Sequence, residues 1–126
     1  MSMNALVLFA HGARDPRWAE PFRRLQAITQ AQMPEVRVEL AFLELMEPRL
    51  PELVASLAAN GCTGVSVVPV FFGQGGHVLR DLPLMVEQLR TEYPGLGFRV
   101  APAVGEDETV LKAIAGYCVR MTESAG

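Results

Sequence analysis

Two histidines, one glutamate and a small set of arginines carry most of the chemistry this chain can offer. His11 closes the apolar run Ala5-Leu6-Val7-Leu8-Phe9-Ala10, and His77 follows a second run, Gly64 to Phe72, after Gly73-Gln74-Gly75-Gly76. Glu44 stands just past a third stretch, in Phe42-Leu43-Glu44-Leu45. Two imidazoles and a carboxylate, with no fourth protein ligand evident, suit a borderline divalent ion and leave coordination positions open to water or substrate. That is the pattern of a metal site that does chemistry. The same residues have plainer uses: a histidine beside a glycine can cap a turn, and a glutamate between two leucines can simply face solvent. Arg14 and Arg17 follow His11, and Arg80 follows His77, so three guanidiniums at one mouth would suit a carboxylate-rich ligand. Pairing with Asp15 and Asp81 on a solvated surface is their other use. Gly73, Gly75 and Gly76 can bring backbone N–H groups to an anion or form only a tight turn. Val78 stands where a dinucleotide fingerprint needs its third glycine, and the chain has no phosphate-loop motif.

The elements that must position these groups read as strand and helix in alternation. Ala5 to Ala10 is a continuous run of strand formers, as expected of a strand buried on both faces. Asp15-Pro16 supplies a helix cap and a proline for the first turn, and Phe22, Leu25, Ile28 and Met33 recur at helical spacing until Pro34. Val36 to Phe42 alternates with period two, which predicts a half-exposed strand near an edge. Leu50, Leu53, Val54, Leu57 and Ala58 form the stripe of a second helix, closed at Asn60-Gly61. Gly64 to Phe72 is the most β-branched stretch and predicts a third strand. A third helix is expected over about Leu82 to Tyr93, a short strand over Phe98 to Ala101, and a last helix from Glu106 to about Met121. Strands alternating with helices imply an α/β fold, a flavodoxin-like doubly wound parallel sheet of order 2-1-3-4 with helices on both faces. Ligands of such sheets bind beyond the carboxyl ends of the strands, where the order reverses. Neighbouring strands lie about 4.8 Å apart, so His11, His77 and Glu44 would emerge at one crevice.

Composition narrows the rest. The 126 residues are 50% hydrophobic and 20% charged, with 11 Lys and Arg against 14 Asp and Glu for a net charge of −3. One globular domain over residues 1–126 is expected, with a core that needs no disulfide or metal staple. A nucleic-acid binder is disfavoured, because the basic excess on which phosphate affinity depends is missing. The apolar runs are far shorter than the roughly 20 residues of a membrane span, and the N-terminus lacks a basic leader, which together predict a cytoplasmic protein. Cys62 and Cys118 have no CxxC partner and read as reduced thiols.

Leu6 to Pro16, then Phe42-Leu43-Glu44, then Gly75-Gly76-His77-Val78-Leu79-Arg80-Asp81-Leu82-Pro83 resemble, in order and over nearly the whole chain, the small single-domain members of the sirohydrochlorin chelatase family, CbiX type. The resemblance implies ATP-independent insertion of a divalent metal (cobalt or iron, in some members nickel) into sirohydrochlorin, for cobalamin or siroheme synthesis. It carries the metal-handling residues onto His11, His77 and Glu44, which would hold the ion and take the pyrrole protons. Gly12, Arg14, Gly75, Gly76 and Arg80 would bind the carboxylate-rich macrocycle. It implies no cofactor besides the metal that is itself the substrate. The longer members pack two such domains around one cleft, so a half-length chain implies a homodimer. The competing class is a non-catalytic tetrapyrrole or metal carrier on the same fold. Phospho-transfer through a strand-end histidine is disfavoured, because Ala10 stands where histidine phosphatases, by resemblance, carry an arginine.

Overall fold

The computed structural model describes residues 3–72 and 76–125, the side chains of 76–79 and 124–125 excepted. Its elements run β1 (Met3–Ala10), a 3-10 turn (Pro16–Ala19), α1 (Glu20–Gln32), β2 (Arg37–Phe42), α2 (Leu50–Ala59), β3 (Cys62–Pro69), α3 (Gly76–Glu92), β4 (Gly97–Val100), a second 3-10 turn (Val104–Glu106) and α4 (Glu108–Ala125). The four strands form a parallel sheet of order β2-β1-β3-β4, as the alternation of elements predicts. Phe9 is level with Ala41 on one side and Pro69 on the other, so β2, β1 and β3 finish together. No described helix is long and apolar enough to cross a membrane.

Two apolar layers enclose the sheet. Val7, Phe9, Val65 and Val67 point to one face and pack on Leu50, Val54 and Leu57 of α2 and on Leu82, Val86 and Leu89 of α3. Phe71 closes that layer edge-on to Phe9, ring centroids 5.9 Å apart. On the other face Leu8, Ala10, Leu40 and Phe42 meet Ala19, Trp18, Phe22 and Leu25. Trp18 lies 4.5 Å from Phe22 between ring centroids and therefore serves packing.

Local chemistry explains where the elements depart from expectation. Asp15 caps the first 3-10 turn, accepting from the Arg17 N–H at 2.9 Å with Pro16 next to it. Pro21 then falls in the first turn of α1, where its missing N–H costs nothing. Ile28 is 58% exposed, outside the stripe that includes Phe22 and Leu25. β3 ends at Pro69 instead of Phe72. The Val70 N–H makes one more bond to the Phe9 carbonyl at 2.8 Å, and the Phe71 carbonyl then accepts from the Gly105 N–H at 2.9 Å. α3 begins six residues before the expected Leu82, so Pro83 sits inside it. A helix-interior proline costs roughly 3 kcal/mol, and burying three Leu or Val side chains returns about 1.5–3 kcal/mol each, so Leu82, Val86 and Leu89 decide the outcome. α2 closes as expected, with Gly61 at φ +85° after Asn60.

Candidate functional site

The carboxyl ends of β1 and β2 are stitched past the sheet proper. Leu43 N–H donates to the Ala10 carbonyl at 2.9 Å and Glu44 N–H to the His11 carbonyl at 3.1 Å. Two loop segments therefore continue the parallel pairing and hold His11 and Glu44 on adjacent backbones. Gly12 makes this possible. Its φ is +97°, a region side-chain-bearing residues rarely adopt, and a Cβ there would overlap the Glu44 carbonyl. Leu45, at φ +68°, turns the chain back so that the Phe42 N–H can donate to the Pro48 carbonyl at 2.9 Å.

His11 is exposed, as are Glu44 and Arg14, while Gly12 is buried in the joint. The His11 Nδ1 lies 3.3 Å from the Gly12 carbonyl oxygen. A carbonyl only accepts, so a hydrogen bond here is made by the tautomer protonated at Nδ1, in which the lone pair is on Nε2. An imidazole with a free lone pair at an open strand end can hold an exchangeable ion or take a proton. Glu44, hydrogen-bonded to the His11 carbonyl through its own backbone N–H, is exposed on the adjoining segment. These two expected site residues are thus brought together.

The remaining expected residues divide. His77 is the second residue of α3, at the carboxyl side of β3, and Gly76 is the first. The side chain of His77 and the whole of Gly75 lie outside the described residues, so of the three expected metal ligands only His11 and Glu44 are seen side by side, through their backbones. Among the described residues no group of three His, Cys, Asp or Glu side chains is gathered. Arg80 is exposed on α3. Arg17 is bound to Asp15 at 2.8 Å, the plainer of its two uses. Arg17 lowers the pKa of the Asp15 carboxyl, through its guanidinium first and its backbone N–H second.

Residues 101–107 complete the rim: the strand expected to reach Ala101 ends at Val100, the helix expected from Glu106 begins at Glu108, and residues 102–105 had no place in the sequence-based picture. Ala101 N–H donates to Val67 at 2.9 Å, and Gly105 N–H to Phe71, which brings this segment over the end of β3. A Cβ at Gly105 would strike the Phe72 backbone, and that lone glycine is the only local signal of the close approach. A cavity of about 320 Å³, bordered by Val68, Pro102, Val104, Glu106 and Val110, opens here. A larger groove of about 460 Å³ lies elsewhere, on the sheet face beside Asn4, Ser66 and Arg99.

Known proteins resemble the chain over nearly the same span. The CbiX family model matches residues 5–118. A sirohydrochlorin cobaltochelatase of Sulfurisphaera tokodaii is 27% identical over 112 residues, covering 89% of this chain and 88% of that one. Another from Methanopyrus kandleri is 36% identical over 84 residues, and the match spans only 59% of its length. Among solved structures, a cobalamin (vitamin B12) biosynthesis CbiX protein from Marinobacter aquaeolei VT8 superposes with a TM-score of 0.85 at 31% identity, over 96% of this chain and 98% of that one. The sirohydrochlorin chelatase SirB from Bacillus subtilis subspecies spizizenii, solved with cobalt, gives a TM-score of 0.80 at 25% identity, over 96% of this chain and 50% of that one.

Proposed function

The chain belongs to the CbiX family, and from that premise we propose that it inserts a divalent metal, cobalt or iron or nickel, into sirohydrochlorin without ATP, as a cytoplasmic lyase of cobalamin or siroheme synthesis. The observation that carries the reading is the stitched pair of strand ends that sets exposed His11 beside exposed Glu44.

Insertion exchanges one divalent ion for two pyrrole N–H protons, so the protein must hold the ion loosely and remove protons as the metal descends. His11 offers Nε2 to the incoming ion, with His77 and Glu44 as the other ligands and water in the remaining positions. As the ion passes to the macrocycle, the vacated imidazole lone pair takes a pyrrole proton and Glu44 takes or relays the second. An exposed site favours this use, because a ligand set fully enclosed by protein would retain the metal. Arg14 and Arg80, with backbone N–H groups of Gly75 and Gly76, bind the carboxylates of the macrocycle. Gly12 contributes by letting the two strand ends meet. The match to half the length of the Bacillus subtilis chelatase supports a working unit of two copies.

An anaerobic optical assay tests the reading, following sirohydrochlorin with Co²⁺, Fe²⁺ and Ni²⁺ in turn. Wild type should accelerate at least one metal over the free-metal control, and His11→Ala should lower that rate by roughly a hundredfold or more with an unchanged far-UV spectrum. A wild-type rate equal to the control for all three metals rejects the enzyme, and stoichiometric binding without turnover would identify a carrier.

A further inference from the structure

His11, Glu44 and the arginines account for a metal ion and for carboxylates, but a tetrapyrrole also carries two broad conjugated faces. Those faces are apolar and gain by leaving water. Two side chains at the mouth offer them cover.

Past the end of β2, Leu43 packs against one apolar layer and Met46 against the other, whereas Leu45 between them is 54% exposed. Leu45 also sits at φ +68°, where glycine or asparagine is at home and a leucine is strained. Neither packing nor backbone therefore asks for leucine there. The end of β3 repeats the pattern. Phe71 packs edge-on to Phe9, and Phe72 next to it is 66% exposed. The backbone of Phe72 is nevertheless held. The Gly105 N–H bonds to the Phe71 carbonyl, and Gly105 approaches Phe72 so closely that a Cβ would overlap its backbone.

Strand order sets the two residues around His11. β1 runs between β2 and β3, with Glu44 N–H bonded to the His11 carbonyl on one side and Val70 N–H to the Phe9 carbonyl on the other. Two strand spacings put the backbone segments of Leu45 and Phe72 roughly 10 Å apart, with exposed His11 on the segment between them. We infer that Leu45 and Phe72 form an apolar seat for one face of the macrocycle, which brings its central nitrogens over His11 while its carboxylates reach the arginines. This rests on the sirohydrochlorin reading above and says what holds the ring. An aromatic ring stacks on a conjugated face, and an aliphatic side chain adds dispersion contacts. Because neither side chain has a polar atom, the pyrrole N–H groups are left to His11 and Glu44. Backbone strain at Leu45 is then kept in the service of binding.

Titrating metal-free sirohydrochlorin into the full chain, followed by absorbance, tests the seat. Leu45→Asn and Phe72→Ser should each raise Kd roughly tenfold, with kcat/KM for metal insertion falling in step. Leu45→Asn should at the same time hold or raise the urea midpoint, because asparagine tolerates the left-handed backbone; a leucine kept for packing would lower it. Phe72→Trp keeps a flat apolar ring and should retain the wild-type Kd. Its emission should be quenched by the macrocycle beyond any change in wild type, whose single tryptophan, Trp18, is packed on Phe22. Wild-type Kd in both Leu45→Asn and Phe72→Ser, with insertion intact, would overturn the seat and leave the chelatase. A changed light-scattering mass with unchanged Kd would also overturn it and assign the pair to a contact between copies. Weakened binding by the variants of a wild type that shows no insertion would keep the seat and reject the chelatase. A wild type that does not bind the macrocycle would overturn both.

Discussion

At the residue scale the arrangement turns on Gly12. Its positive φ and its approach to the Glu44 carbonyl are what allow His11 and Glu44 to share one mouth. Gly12→Ala adds a Cβ that must push the two strand ends apart, on top of a backbone conformation that costs about 1–3 kcal/mol for a non-glycine residue. We expect a loss of about 3 kcal/mol in urea unfolding, together with insertion activity as low as that of His11→Ala. Unchanged stability would show that the joint does not need glycine. How much of this was legible in the sequence follows from what parallel strands share. That His11 and Glu44 end neighbouring strands could be read from hydropathy, because both follow apolar runs. The overlap at Gly12 could not, since it depends on a register that continues beyond the last strand residues. Arg17 illustrates a local competition, in which Asp15 two residues away captures the guanidinium before any ligand can.

At the element scale, strand identity and order were legible because β1 and β3 are apolar runs, β2 alternates with period two, and helical stretches separate the strands. The start of α3 was not, because Gly73, Gly75 and Gly76 read as loop and Pro83 reads as a first-turn residue. Tertiary burial of Leu82, Val86 and Leu89 holds the helix around its proline. Pro83 is exposed, so Pro83→Ala restores a backbone donor without disturbing the core. The helix gains up to about 3 kcal/mol in propensity and the unfolded chain regains about 1 kcal/mol of entropy, leaving a net stabilisation of about 1–2 kcal/mol. That corresponds to a rise in Tm of roughly 4–8 °C for a domain of this size. Calorimetry on the variant decides it, and a fall in Tm would mean that α3 bends at Pro83 to fit its neighbours.

At the scale of the whole molecule, the exposed apolar residues of α4 bear on whether the proposed homodimer couples folding to association. That two copies would work together is an expectation from the resemblance to longer members that hold two such domains, and that α4 leaves an apolar side in water becomes visible only in the folded chain. If native dimer converts directly to two unfolded chains, mass action makes the midpoint depend on protein concentration. With an unfolding enthalpy of about 0.7 kcal/mol per residue, twice counted for two chains, Tm should rise by about 3 °C for each tenfold increase in concentration. If the copies join through the exposed side of α4, Ile114→Asp should lower Tm at high concentration and make it independent of dilution. A wild-type midpoint that stays constant over a hundredfold range would mean that each chain reaches its full stability alone, and the exposed stripe would then need no partner to be tolerated.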